Sequence, residues 1–257
     1  MSGQSPMPLR LAMWSGPRNI STAMMRAFEN RTDCRVIDEP LYAHYLAATG
    51  SDHPGRADVI AHGETDWRRV VASLLGPVPN AQPIWYQKHM THHLLPDMER
   101  DWILQLTNVF LIRDPRDVVA SYIKSRAAIA ADDIGLRQEV ALFDFVAAHL
   151  GHAPTVIDAN SFLTAPEAHL RALCTQLGIA FSARMLHWRP GPRASDGVWA
   201  PHWYSAVWQS SGFEAPRARE PMLDDAAAEV AEQARPWYEH LYRHRLRVTL
   251  PPGNGTH

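Results

Sequence analysis

Only two of the 257 residues are cysteine, Cys34 and Cys174, and only two are lysine, Lys88 and Lys124. Two cysteines so far apart make no disulfide framework, and the N-terminus has no basic, apolar, small-residue export signal, so the expectation is a reducing cytoplasm. Uncharged apolar runs of the roughly 18 to 20 residues that a membrane helix needs are missing, which leaves no membrane partner. Charge of one sign is missing too: the formal net charge is -2 and the isoelectric point is near 6.7, giving no electrostatic footprint for nucleic acid. There is no internal repeat and no G-x-x-x-x-G-K-[ST] nucleotide-kinase loop. The one low-complexity stretch is the tail at 251–257, which is expected to fray.

What is present is 46% hydrophobic residues, enough for one core, and the expected organisation is a single domain over 1–257. Short apolar runs at 9–14, 34–37, 83–87, 107–112 and 155–157 read as strands. Periodic stretches at 22–29, 41–48, 66–75, 117–126, 136–150 and 166–177 read as helices, and the polar, glycine-punctuated stretch at 50–62 reads as a loop. This alternation predicts an α/β fold, a mostly parallel central sheet flanked by helices with a P-loop-like nucleotide-binding architecture. Ligands of such sheets bind beyond the carboxyl ends of the strands. Arg18, Glu39, Lys88, His89 and Arg113 all fall there.

Two stretches share one logic. Pro17-Arg18-Asn19-Ile20-Ser21-Thr22 follows the first strand and opens a helix, so unpaired N–H groups, the helix dipole and Arg18 converge on a place suited to an anion. Arg113-Asp114-Pro115-Arg116-Asp117-Val118, followed by Ser121, does the same after the fourth strand. A proline at the start of a helix with an acidic first turn is ordinary capping, but capping alone does not account for the pair.

These paired loops resemble those of sulfotransferases that use 3′-phosphoadenosine 5′-phosphosulfate. The resemblance implies that residues 17–22 hold the 5′-phosphosulfate and that Arg113 and Ser121 hold the 3′-phosphate, with adenosine 3′,5′-bisphosphate as product. It also implies no metal and a small-molecule acceptor. Asn19 and Ile20 stand where the family has serine and glycine. For the base, the residues leave two sources open. One is the Lys88-His89 stretch with His92 and His93, matching a Lys-Thr-His found in members acting on small molecules. The other is Glu39, at the place of a glutamate in members acting on protein tyrosine. Histidine is favoured near neutral pH, because Arg18 beside Glu39 would lower that carboxyl's proton affinity. The catalytic candidates are thus His89, Lys88, Glu39, Arg18 and His92.

The tryptophan-rich stretch at 191–204 is expected either to close over the nucleotide or to shape the acceptor pocket. Three other functions use the same residues: a magnesium-dependent kinase, a pyridoxal-phosphate aminotransferase with Lys88 or Lys124 as its Schiff-base lysine, and a nucleotide-binding protein without turnover.

Overall fold

Strand residues buried on both faces need helices on both sides, and the apolar runs of this chain find them. We describe the fold from a computed structural model, over residues 7–123, 129–216 and 221–249. The strands Leu9–Ser15 (β1), Cys34–Asp38 (β2), Ile84–Met90 (β3), Thr107–Ile112 (β4) and Thr155–Asp158 (β5) form one sheet in the order β2-β3-β1-β4-β5. Every neighbouring pair is parallel. β1 is central, with β3 on one side and β4 on the other, so the carboxyl end of β1 lies where the chain order switches direction.

Successive side chains of a strand point to opposite faces. Leu11, Met13, Ile84, Tyr86, Val109 and Leu111 pack on one face, against helix Ser21–Glu29 (α1) and, further on, against Leu170 and Leu173 of the helix Pro166–Gln176. Ala12, Trp14, Trp85, Phe110 and Ile112 pack on the other, with Val70 and Leu74 of the helix Trp67–Leu75, and Leu142, Phe143 and Val146 of the helix Leu136–Leu150.

In chain order the helices after α1 are Tyr42–Thr49 (α2), Arg56–His62 (α3), Trp67–Leu75 (α4), Pro115–Tyr122 (α5), Leu136–Leu150 (α6), Ala159–Thr164 (α7), Pro166–Gln176 (α8), Ala200–Trp203 (α9), Ser205–Gln209 (α10) and Asp225–Tyr242 (α11). α3 occupies part of the stretch read as a loop, its seven residues set between Gly55 and Gly63. α11 was not anticipated either. Asp224 caps it by accepting from the Ala227 N–H, and Ala227, Ala231, Ala234, Tyr238 and Leu241 bury one stripe despite Pro236 inside the helix. Beyond it the Leu246 N–H donates to the Val156 carbonyl at 2.7 Å, alongside β5.

β3 is longer than its apolar run. It continues through Lys88, His89 and Met90, all paired in register with β1. Lys124 and the tail at 251–257 lie outside the described residues, as does the end of the helix expected at 117–126. Among the described residues no helix is long and apolar enough to cross a membrane.

Candidate active site

The first loop leaves β1 at Ser15 and enters α1 at Ser21. Arg18 takes the left-handed conformation, φ 58°, which costs a non-glycine residue about 1 kcal/mol or more. Asn19 anchors the turn: its Nδ2 donates to the Leu111 carbonyl at 2.6 Å and its Oδ1 accepts from the Ile20 N–H at 2.8 Å. Ile20 itself lies at φ -86°, where a side chain brings no backbone strain, so a glycine is not required there. Among the described residues no side chain caps α1, and its first turn holds no acidic residue. Its leading N–H groups and its dipole remain directed at the cavity beyond.

The second loop leaves β4 at Ile112. Asp114 caps α5 by accepting from the Arg116 N–H at 2.8 Å, and is itself held by Arg235 at 2.9 Å. The two loops bond to each other. Arg113 Nη1 donates to the Arg18 carbonyl at 2.9 Å, and Arg18 Nε donates to Ser121 Oγ at 2.9 Å.

Both loops open on one cavity of about 490 Å³ at the carboxyl ends of the strands. Pro17, Arg18, Asn19, Ile20, Ser21 and Thr22 line it, with Arg113 and Ser121 and, from the base candidates, Lys88, Glu39 and His92. Asp117 and Asn160, joined at 2.8 Å, line it beside Ser121. Tyr42, His53, His93, Trp203 and Tyr204 complete the wall beyond Glu39.

A buried charge cluster sits at the floor. Lys88 Nζ donates to Asp38 Oδ1 at 2.9 Å, Glu39 Oε1 at 2.7 Å and Tyr204 Oη at 2.6 Å, and the Tyr204 hydroxyl donates to Asp38 Oδ2 at 2.6 Å. The side chains of Lys88, Asp38 and Glu39 are 1%, 2% and 12% exposed, so Glu39 is the less buried of the two carboxylates and the one that lines the cavity. Burial alone would strip the proton from Lys88, but the Asp38 and Glu39 carboxylates outweigh it and hold the amine charged, well above the ordinary lysine range. Burial raises the proton affinity of Glu39; the Lys88 ammonium opposes this and the Asp38 charge reinforces it. Glu39 also holds φ at 40°, a strained turn directly after β2 that aims its carboxyl toward β3.

His89 is not in this cluster. Because β3 continues through it, its side chain points to the face opposite Lys88, where it is 1% exposed and stacks on Trp14 with ring centroids 4.3 Å apart. Its Nε2 lies 3.2 Å from Gln87 Oε1, and burial lowers its pKa to about 3. It does not line the cavity, so the structure does not bring His89 together with the other base candidates. On the same face Glu139 of α6 is wholly buried, its Oε2 accepting the Gly16 N–H at 3.0 Å directly behind the first loop. Burial raises its pKa well above the carboxylate range.

Residues 9–245 match the family described as a sulfotransferase domain. The chain belongs to the sulfotransferase family. Two curated relatives from Arabidopsis thaliana, named branched-chain-amino-acid aminotransferase-like proteins 2 and 1, are 34% and 35% identical over 245 residues. Those residues are 93% of this chain but 43% and 44% of the relatives, so the chain spans less than half their length. Among solved structures, the sulfotransferase domain from the curacin biosynthetic pathway superposes with a TM-score of 0.54 at 15% identity, covering 89% of this chain and 98% of that one. A sulfotransferase from Alicyclobacillus acidocaldarius gives 0.54 at 12% identity, covering 93% and 97%. Both share the α/β fold with its parallel sheet.

In this sulfotransferase fold the tryptophan-rich stretch does two things. Its first part fastens to α1: Arg26 holds Asp196 at 2.6 Å, Trp208 Nε1 donates to Asp196 Oδ2 at 3.0 Å, and Arg193 meets Glu29 at 3.3 Å. Its end, from Trp203 onward, walls the cavity. Asp38 and Tyr204 are the residues that the sequence reading missed. Asp38 had a signal, as an acidic residue at a strand's end beside Glu39; Tyr204 lay in the tryptophan-rich stretch expected at the site, but only the fold brings it to β2 and β3.

Proposed function

We propose that the chain moves a sulfuryl group from 3′-phosphoadenosine 5′-phosphosulfate to a hydroxyl, or an amine, of a small acceptor. One observation carries this reading: the uncapped start of α1, Arg18, Arg113 and Ser121 share a single cavity with the Lys88–Glu39 pair. Residues 17–22 bind the 5′-phosphosulfate through N–H groups and the Arg18 guanidinium, and Arg113 and Ser121 bind the 3′-phosphate. The nucleotide supplies the sulfuryl group together with its leaving phosphate. Glu39 accepts the proton of the acceptor, at the carboxyl edge that faces the cavity, while Lys88 holds the other oxygen. Positioning and fixed charge supply most of the rate.

A Schiff-base role for Lys88 is disfavoured by the same geometry. Such a lysine needs a neutral amine, and its carboxylate partners hold this one protonated. The aminotransferase-like name belongs to relatives of which this chain covers less than half.

The test separates binding from chemistry. Adenosine 3′,5′-bisphosphate should raise the melting temperature without magnesium, and Arg113→Ala should abolish most of that rise, since a charged hydrogen bond contributes about 1.5 to 3 kcal/mol. Glu39→Gln should keep the rise yet lower turnover on a labelled-sulfate acceptor panel by on the order of 10² to 10⁴, whereas His92→Ala should not. Stabilisation by magnesium-ATP but not by the bisphosphate would overturn the proposal.

A further inference from the structure

The Lys88 ammonium has three N–H donors and three partners, and two of those partners are bonded to each other. Asp38 offers Oδ1 to Lys88 at 2.9 Å and Oδ2 to the Tyr204 hydroxyl at 2.6 Å, while Tyr204 Oη also accepts from Lys88 at 2.6 Å. The result is a closed triangle of hydrogen bonds. It fixes the rotation of the ammonium, so that the third N–H is aimed at Glu39 Oε1, 2.7 Å away. The three residues of the triangle are buried, with Lys88 and Tyr204 at the cavity wall; of the two carboxylates, Glu39 is the one that lines the cavity. One ammonium faces two carboxylates, and the uncompensated charge therefore falls on the carboxylate that lines the cavity.

We propose that Asp38 and Tyr204 are positioning residues that divide the Lys88 charge between Asp38 and Glu39, and so set how readily Glu39 takes a proton. This deepens the reading of Glu39 as the base and rests on it. Tyr204 comes from the α9–α10 junction, between residues that wall the cavity, and the Gly197 N–H of the same segment reaches Asp38 Oδ2 at 3.4 Å. The segment that covers the acceptor thus also holds the charge partner of its base.

The groups that bear on Glu39 are Lys88 from β3, Asp38 from β2 and Tyr204 from the covering segment; Arg18, His53, His92 and His93 face the same cavity. Removing the Tyr204 hydroxyl leaves Asp38 to draw the ammonium towards itself, and Glu39 becomes easier to protonate. Removing the Asp38 charge gives the ammonium to Glu39 alone, which becomes harder to protonate. The two changes act in opposite directions, which general loosening of the fold does not produce.

The experiment titrates the Glu39 carboxyl in the full chain by carbon-13 NMR on glutamate-labelled protein, with the Glu39 signal assigned by its loss in Glu39→Gln. Tyr204→Phe should move its midpoint up and Asp38→Asn should move it down, each by about one pH unit. The acid limb of the turnover profile should follow each midpoint. Each direction is read separately, so failure of one variant to fold leaves the other decisive. Midpoints that stay in place or move together overturn the proposal. Midpoints that separate while the turnover profile stays still overturn Glu39 as the base instead.

Discussion

The two faces of the sheet treat buried ionisable groups in opposite ways at their carboxyl end. On the α1 face, Lys88, Asp38 and Glu39 are gathered within hydrogen-bonding distance, and Arg26 meets Asp196 in the same fashion. On the α6 face, His89 and Glu139 are as deeply buried but, among the described residues, their hydrogen-bond partners are neutral, the Gln87 amide and the Gly16 N–H. Burial moves both towards their uncharged forms. A partner of opposite charge is what lets a buried group stay ionised. Lys88 and His89 are adjacent in sequence, yet only the first keeps a charge with which to act on an anionic group.

The largest test of this contrast is Lys88→Met. It strands two carboxylates, and breaking a buried pair from one side costs about 3 to 5 kcal/mol, readable in urea unfolding. A loss below about 1 kcal/mol would mean that the carboxylates are not relying on the ammonium, and the contrast would fail.

Glu139 comes next. Glu139→Leu deprives the Gly16 N–H of its acceptor, for a loss of about 1 to 3 kcal/mol, while Glu139→Gln keeps an acceptor in place and should stay near wild type at neutral pH. A carboxyl whose folded-state pKa is raised holds its proton after the unfolded chain has released it. Its contribution is therefore full below the unfolded value of about 4.3 and declines as pH rises towards the folded value. Wild-type stability should fall across that window more steeply than that of Glu139→Gln. Equal slopes would show that Glu139 is ionised in the fold.

The smallest effect is expected at His89. His89→Gln should leave turnover close to wild type, since the ring does not line the cavity. Its lowered pKa means that the unfolded chain takes up a proton first, so wild-type stability should drop as pH falls from about 6.5 towards about 3, and the variant should drop less. A turnover loss on the order of 10² in His89→Gln would return the base role to the histidine.

The sequence made the sheet legible where strands are uniformly apolar, as at 9–14 and 107–112, because residues buried on both faces have to be. The two strand-to-helix loops, which open on one cavity, were legible because each carries a short list of residue types at its junction. β3 was cut short at Gln87, since Lys88 and His89 look like loop residues; they are strand residues because Asp38, Glu39 and Tyr204 partner one and Trp14 covers the other. That truncation hid the alternation that sends His89 inward. Glu139, and the partners of Tyr204, were invisible for a related reason: the partners lie far away in sequence, and no local pattern marks a tyrosine or glutamate that long-range packing will enclose. α11 escaped notice because its buried stripe is mostly alanine, which carries little hydrophobic contrast.

The cross-bonding of the loops that follow β1 and β4 makes their energies inseparable. Arg113 supports the backbone that presents Arg18, and Arg18 donates to Ser121, so neither loop is an independent module. Substitutions at Arg18 and Ser121 should then be non-additive, with a coupling of about 0.5 to 3 kcal/mol in a double-mutant cycle on nucleotide binding. Under the proposed assignment, a nucleotide with phosphates at both ends should engage the latch from both sides at once, and one lacking either phosphate should forfeit part of the contribution from the loop it still touches.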